Sequence, residues 1–260
     1  MQHVRPKKHL GQHFLKDLQI AERIAAIADG ITADKVIEIG PGMGVLTKFL
    51  FETWGAKLLV CEIDTESVAY LKKASWAQDL EIIEGDFLVL KPEIAFPYEN
   101  QAILGNYPYN ISTEIAFKVI ENREKVGFFG GMFQLEVAKR FCAKHGNKEY
   151  GITSVLLQAY YDCAYLFDVE PEAFNPPPKV RSGVMACTRK AEMPACSHKS
   201  LSLVTKTAFS QRRKTLSNAL KPLLSSRPAF QLPGDWAGKR AEQLSVENFV
   251  FLAQLWEQSA

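Results

Sequence analysis

The chain has 260 residues, 47% of them hydrophobic, and a formal net charge of +2. That length buries a full core with room for a small appended module, and the composition excludes a disordered polymer. No apolar run approaches the roughly 20 residues that cross a bilayer, and no apolar leader follows the basic N-terminus, so a cytoplasmic protein is expected.

Cys61, Cys142, Cys163, Cys187 and Cys196 are odd in number, widely spaced and mostly set in apolar runs. They predict buried thiols in a reducing compartment, with neither a disulfide framework nor a metal site. Charge is uneven. Residues 1–16 hold Arg5, Lys7, Lys8 and Lys16 and no acid, and residues 199–240 carry nine Lys or Arg against Asp235 alone. Two basic ends on a nearly neutral chain predict a polyanion footprint, because phosphate contacts supply much of nucleic-acid affinity.

After the basic arm, Leu10 to Leu15 has no helical period and reads as a segment laid across something else. Asp17 then caps a helix with an apolar stripe of Ile20, Ile24, Ile27 and Ala28. Lys35 to Ile39 is a short strand that runs into Gly40-Pro41-Gly42-Met43-Gly44, and a helix follows from Val45. Glycine suits a strand-to-helix turn that needs positive φ and close ligand approach, and the missing Gly-Lys-Ser/Thr ending excludes a phosphate-cradling loop. The second strand, Lys57 to Glu62, ends in an acid 22 residues after Gly40. An acid there can accept from both hydroxyls of a ribose. Thr65 to Trp76 is helical, Leu80 to Ile83 is a third strand, and Asp86 and Phe87 follow it, placed to meet an adenine amine and to pack beside its ring. A helix-capping role remains open for Asp86.

Gln101 to Leu104 is the fourth strand, and it stops against Gly105-Asn106-Tyr107-Pro108-Tyr109-Asn110-Ile111-Ser112. The carboxyl ends of parallel strands are where open α/β sheets hold ligands, so this loop reads as a pocket for a planar, hydrogen-bonding substrate. A helix over 111–122, a strand from Lys125 to Phe133, a helix from Leu135 to Phe141 and a periodic segment from Gly151 to Tyr160 come next. Two late strands, Cys163 to Val169 and Gly183 to Thr188, complete a predicted seven-stranded sheet. The loop between them contains Phe174-Asn175-Pro176-Pro177-Pro178-Lys179-Val180, whose prolines cannot be central strand or helix and so brace a stiff loop. Phe174 is either presented by that loop or anchored in the core. From Ala191 the alternation stops, and Ser200 to Ala208, Arg213 to Leu224 and Ser245 to Gln258 read as helices, with Arg212, Arg213 and Lys214 at a helix start.

Taken together, Gly11 to Leu15, Glu38 to Gly44, Glu62-Ile63-Asp64, Gly85-Asp86, Asn106 to Ser112, Phe174 to Val180 and Phe209 to Leu220 resemble, in order and over nearly the whole chain, the rRNA adenine N6,N6-dimethyltransferases of the KsgA type. The resemblance implies an α/β fold of the Rossmann-like class I methyltransferase kind, with a catalytic domain over 1–190 and a helical RNA-binding domain over 191–260. It implies S-adenosyl-L-methionine as methyl donor, no metal, and a monomer acting on the immature small ribosomal subunit. It assigns the donor to His13, Leu15, Gly40, Gly42, Glu62, Asp86, Phe87 and Asn106, catalysis to Asn106, Pro108, Tyr109 and Phe174, and RNA contact to Arg5, Lys7, Lys8, Lys179, Arg212, Arg213 and Lys214. His13 departs from the Asn of many members, and Tyr107 from a common Leu.

The chemistry fits the motif. Adenine N6 is a poor nucleophile because its lone pair is delocalised, and hydrogen bonds to the Asn106 side-chain oxygen and the Pro108 carbonyl would favour a tetrahedral nitrogen aimed at the methyl group. Tyr109 and Phe174 would stack on the extracted base. Three other readings stand beside this one: large-subunit rRNA methylation of the antibiotic-resistance type, a binding protein that kept the fold without turnover, and a nicotinamide-dependent dehydrogenase, which lacks any evident hydride-transfer site.

Overall fold

A computed structural model describes residues 4–7 and 10–259, so Lys8 lies outside the described residues. The chain divides into two compact units, one of residues up to 138 with 164–189, the other of 139–163 with 190 onward. The sequence reading drew a single boundary after residue 190, whereas here 139–163 group with the C-terminal helices.

In chain order the elements are β1 (Phe14–Leu15), α1 (Leu18–Ala25), β2 (Lys35–Ile39), α2 (Val45–Trp54), β3 (Leu58–Glu62), α3 (Thr65–Lys73), β4 (Glu81–Glu84), α4 (Pro92–Ala95), β5 (Gln101–Leu104), α5 (Ser112–Glu121), β6 (Val126–Gln134), α6 (Leu135–Cys142), α7 (Ile152–Gln158), β7 (Tyr161–Val169), β8 (Phe174–Asn175), β9 (Ser182–Arg189), α8 (His198–Ser210), α9 (Leu216–Ala219), α10 (Lys221–Ser226) and α11 (Val246–Gln258). The main sheet has the strand order β4-β3-β2-β5-β6-β9-β7. Its strands from β4 to β6 are parallel neighbours, and β9 runs antiparallel to β6. All five residues of β2 are buried, as expected of a central parallel strand covered on both faces. β1 and β8 form a separate antiparallel ribbon, with Leu15 opposite Phe174.

The Asp17 cap is present, its carboxylate accepting from the N–H groups of Gln19 and Ile20. In the second unit Ser197 caps α8 and Ser245 caps α11. Phe209 stacks on Phe249 at 5.6 Å, and Arg227 lies 3.9 Å over the Trp256 ring while donating to the Trp256 carbonyl at 2.8 Å. The single helix expected over Arg213 to Leu224 is two short ones, α9 and α10, with Pro222 in the first turn of the second. Proline has no N–H to continue a helix and belongs at a start. Arg212 and Arg213 consequently sit in a turn before Leu216 rather than at a helix N-terminus.

Cys61, Cys142 and Cys196 are free thiols, and burial pushes Cys61 and Cys142 up to about 12. Cys163 and Cys187 depart from the expected set of thiols, both being disulfide-bonded. Among the described residues no helix is long and apolar enough to cross a membrane, and no group of His, Cys, Asp and Glu could hold a metal ion.

Candidate active site

Where the strand order turns at β2, with β3 on one side and β5 on the other, a cavity of about 270 Å³ opens at the carboxyl ends of the strands. Its walls are Gly40–Met43 after β2, Cys61–Ile63 at the end of β3, Gly85–Phe87 after β4 and Asn106–Ile111 after β5, with Leu10–Leu15 as a further wall. Gly40, Gly42 and Gly44 take φ of +70°, +55° and +78°. At Gly42 a Cβ would also stand 2.9 Å from the Phe14 ring, so both conformation and space call for glycine.

Glu62 is 3% exposed and held from two directions: Oε2 accepts from the Gly42 N–H at 3.0 Å and Oε1 from the Asp64 N–H at 2.9 Å. Burial raises its pKa, and the two backbone N–H groups oppose that rise. Each oxygen keeps a second lone pair for a hydroxyl. Asp86 Oδ1 accepts from the Leu88 N–H at 2.8 Å, and Phe87, 3% exposed, sets its ring edge-on to Phe96 at 5.6 Å.

One cavity-lining acid was not singled out from the sequence. Glu38, on β2, is 1% exposed, and its Oε2 has no hydrogen-bond partner. Burial drives its pKa up to about 8, and the Glu62 charge adds to the rise. The Thr47 hydroxyl, itself without a geometric partner, offsets only part of it. The available signal was an acid in the middle of an otherwise apolar strand, a residue type almost never fully buried without purpose.

The loop after β5 is bound to β6 rather than hanging free. Asn106 bridges Met132, the Tyr107 N–H donates to the Met132 carbonyl at 3.0 Å, and the Met132 N–H donates to the Gly105 carbonyl at 2.9 Å. Gly131, at φ +135°, makes this approach possible, since a Cβ there would lie 2.1 Å from the Gly105 oxygen. Tyr107 is buried below, stacked on Phe133 at 4.5 Å, and its hydroxyl donates to the Gly130 carbonyl at 2.9 Å. Asn106 Nδ2 donates to the His13 carbonyl at 3.2 Å. A carbonyl can only accept, which assigns the amide orientation and leaves Oδ1 as the acceptor on the other side. The Pro108 carbonyl accepts from the Ile111 N–H at 3.2 Å and retains one lone pair. Tyr109 is half-buried, its hydroxyl 2.5 Å from Ser182 Oγ and its ring centroid 5.5 Å from that of His13.

His13 lines the cavity, and its Nδ1 lies 2.9 Å from the Pro176 carbonyl. Leu15 lines it too and is buried. Phe174, read from the sequence as a base-stacking residue or a core anchor, is 1% exposed and packs in the same core cluster as Leu15 and Val184. It is not among the residues lining the cavity. Paired opposite Leu15 in the β1–β8 ribbon, it is on the same side of the ribbon as that residue and is buried with it in the core cluster.

The basic residues divide. Arg5, Lys179, Arg213 and Lys214 are exposed. Lys7 instead lies 2.5 Å from Asp64 and 3.2 Å from Glu66, and the Asp64 hydrogen bond raises its pKa. Arg212 Nε donates to Glu242 at 2.8 Å and its guanidinium also donates to the Lys148 carbonyl.

The strand order, the glycine turn and acids at successive strand ends define a Rossmann-like class I methyltransferase. Residues 4–255 match the family model for ribosomal RNA adenine dimethylase. The chain belongs to that family. Two relatives, each called ribosomal RNA small subunit methyltransferase A, are similar end to end. The one from Cytophaga hutchinsonii is 50% identical over 98% of this chain and 98% of its own length, and that from Flavobacterium johnsoniae is 52% identical over 98% and 97%. Among solved structures, a dimethyladenosine transferase from Plasmodium falciparum superposes with a TM-score of 0.79 at 25% identity, covering 95% of this chain and 98% of that one. The 23S rRNA methyltransferase ErmE shares the fold, with a TM-score of 0.70 at 22% identity, over 94% and 100%.

Proposed function

We infer that this chain transfers methyl groups from S-adenosyl-L-methionine to N6 of two adjacent adenosines near the 3′ end of small-subunit, 16S-type rRNA, giving N6,N6-dimethyladenosine in the course of ribosome biogenesis. The residues present fit the donor. Glu38 lines the cavity, and its buried carboxyl has an oxygen with no hydrogen-bond partner; a cation brought beside it, such as the charged end of that molecule, would favour its ionised form. Glu62 has lone pairs to accept from ribose hydroxyls, and Asp86 has Oδ2 to accept from the adenine amine. When bound, the donor supplies a methyl group on a positively charged sulfur.

The observation that carries the catalytic reading is the Asn106 amide. Its NH₂ is committed to the His13 carbonyl, so its oxygen accepts from an N6–H of the target adenine. The free lone pair of the Pro108 carbonyl takes the other N6–H. With both hydrogens held, the nitrogen lone pair is turned out of the ring plane, an orientational and electrostatic contribution. Tyr109, its hydroxyl fixed by Ser182, offers its ring to the base. Phe174 acts through the wall it supports, holding Leu15 in register. Proton loss follows transfer, so no strong general base is required. Arg5, Lys179, Arg213 and Lys214 meet phosphate, whereas Lys7 and Arg212 serve chiefly in their ion pairs.

Incubating purified small and large ribosomal subunits with methyl-labelled donor, then mapping modified adenosines by mass, tests this reading. Two dimethyladenosines near the 3′ end of the small-subunit RNA are expected. Label confined to large-subunit RNA, or donor binding with no label in either, would overturn it.

A further inference from the structure

The helix that follows the Asn106 loop reaches across to the loop that carries Asp86. α5 starts at Ser112, and Lys118, near its end, donates from Nζ to the carbonyls of Phe87 at 2.5 Å, Leu88 at 3.0 Å and Leu90 at 2.6 Å. An ammonium has three hydrogens, and all three are used. Burial lowers the Lys118 pKa, and the Asp86 charge opposes that. A lysine placed there solely to cap carbonyls would need no particular relation to the cavity. This one has such a relation.

The Phe87 carbonyl and the Leu88 N–H belong to the same peptide group. On its oxygen side that group receives Lys118, and on its nitrogen side it donates to Asp86 Oδ1 at 2.8 Å. A peptide set between an ammonium and a carboxylate is polarised in the direction that strengthens both hydrogen bonds. The peptide plane is thereby fixed, and so is the rotation of the Asp86 carboxylate, which leaves Oδ2 as its available acceptor. The Phe87 ring, with its centroid 5.1 Å from Nζ, is held by the same residue.

We propose that Lys118 is a positioning residue of the methyl-donor site: through the Phe87–Leu88 peptide it orients Asp86, and so sets the preference for a purine bearing an exocyclic amine over one bearing a carbonyl. The inference rests on the reading of Asp86 as the acceptor for that amine. It also ties the donor pocket to α5, and hence to the loop that holds the target base.

The test is isothermal titration of S-adenosylhomocysteine and S-inosylhomocysteine into the full chain, wild type and with Lys118→Met, Asp86→Ala and both substitutions. Lys118→Met should weaken S-adenosylhomocysteine about tenfold, the loss of one charge-dependent hydrogen bond, while leaving S-inosylhomocysteine nearly unchanged. In the Asp86→Ala background the Lys118 substitution should add nothing, since its effect passes through that carboxylate. An undiminished preference in Lys118→Met, or an equal loss for both ligands, overturns the proposal. If Asp86→Ala abolishes the preference and Lys118→Met does not, only the role of Lys118 falls. If Asp86→Ala keeps the preference, the reading of Asp86 falls and this proposal with it. Should Lys118→Met fail to fold by circular dichroism, Lys118→Arg decides: its planar fork cannot converge on three carbonyls, so the same loss of preference is expected despite the retained charge.

Discussion

Replacing Glu38 with Gln should make this protein less sensitive to rising pH. Its carboxyl ionises at about 8 in the folded chain, against 4.5 for its ordinary value, because burial outweighs every nearby donor. Between those values the folded state holds a proton that the unfolded chain has released, so stability falls as pH rises and levels off above about 8. From pH 5 to pH 9 the loss assignable to this one group is of the order of 4 kcal/mol. Urea unfolding followed by far-UV circular dichroism across that range measures it, as the difference in slope between wild type and Glu38→Gln. Saturating S-adenosylhomocysteine, whose amino group brings a cation to the cavity, should flatten the wild-type slope and leave the variant unaffected. Equal losses in the two proteins, with or without ligand, would refute the argument that an unpaired, ionisable carboxyl waits in the donor cavity.

Asn106→Ala should lower methyl transfer by at least about a hundredfold while donor affinity by titration falls far less, because Gly42, Glu62 and Asp86 are untouched. Phe174→Ala should cost roughly 3–5 kcal/mol in urea unfolding, as a buried aromatic does; full stability with abolished transfer would instead mean that the ring works on the base. Replacing Arg213 and Lys214 together by Ala should weaken binding to small-subunit RNA and make it less salt-dependent, by about one unit of slope for each phosphate these side chains neutralise. Arg212→Ala should act differently, lowering thermal stability through the loss of Glu242 and the Lys148 carbonyl, and a purely RNA-binding defect there would contradict the ion pair as its main role.

The contiguous parts of the site were the legible ones. Gly40 to Met43, Glu62, Asp86 and Asn106 to Tyr109 each end or follow a strand, so a strand reading already carries them to one edge of the sheet, and that is where they stand. What escaped depends on partners distant in sequence. Nothing near Lys118 announces that its ammonium ends on Phe87, Leu88 and Leu90, and nothing near Arg212 announces Glu242. Phe174 illustrates the same limit from the other side: three prolines suggest a loop that displays it, but β1 needs a strand partner, and pairing turned the ring inward. The grouping of 139–163 with the C-terminal helices is likewise a matter of packing between separated segments. The break at Leu220 was available in Pro222, which lacks the N–H that a continuing helix would use.

The bridge between Asn106 and Met132 has a bearing on how inactivating substitutions in this chain are interpreted. The Asn106 amide takes its place from a strand, so a variant such as Gly131→Ala, at a position that does not line the cavity, moves the Gly105 carbonyl and with it Asn106. In a genetic screen such a change would sort with the catalytic mutants by phenotype and with the buried structural positions by location. A map of intolerance drawn on this protein should therefore continue from the cavity into the interior of β6, following the hydrogen bonds of Gly105, Tyr107 and Met132 and not the outline of the ligand.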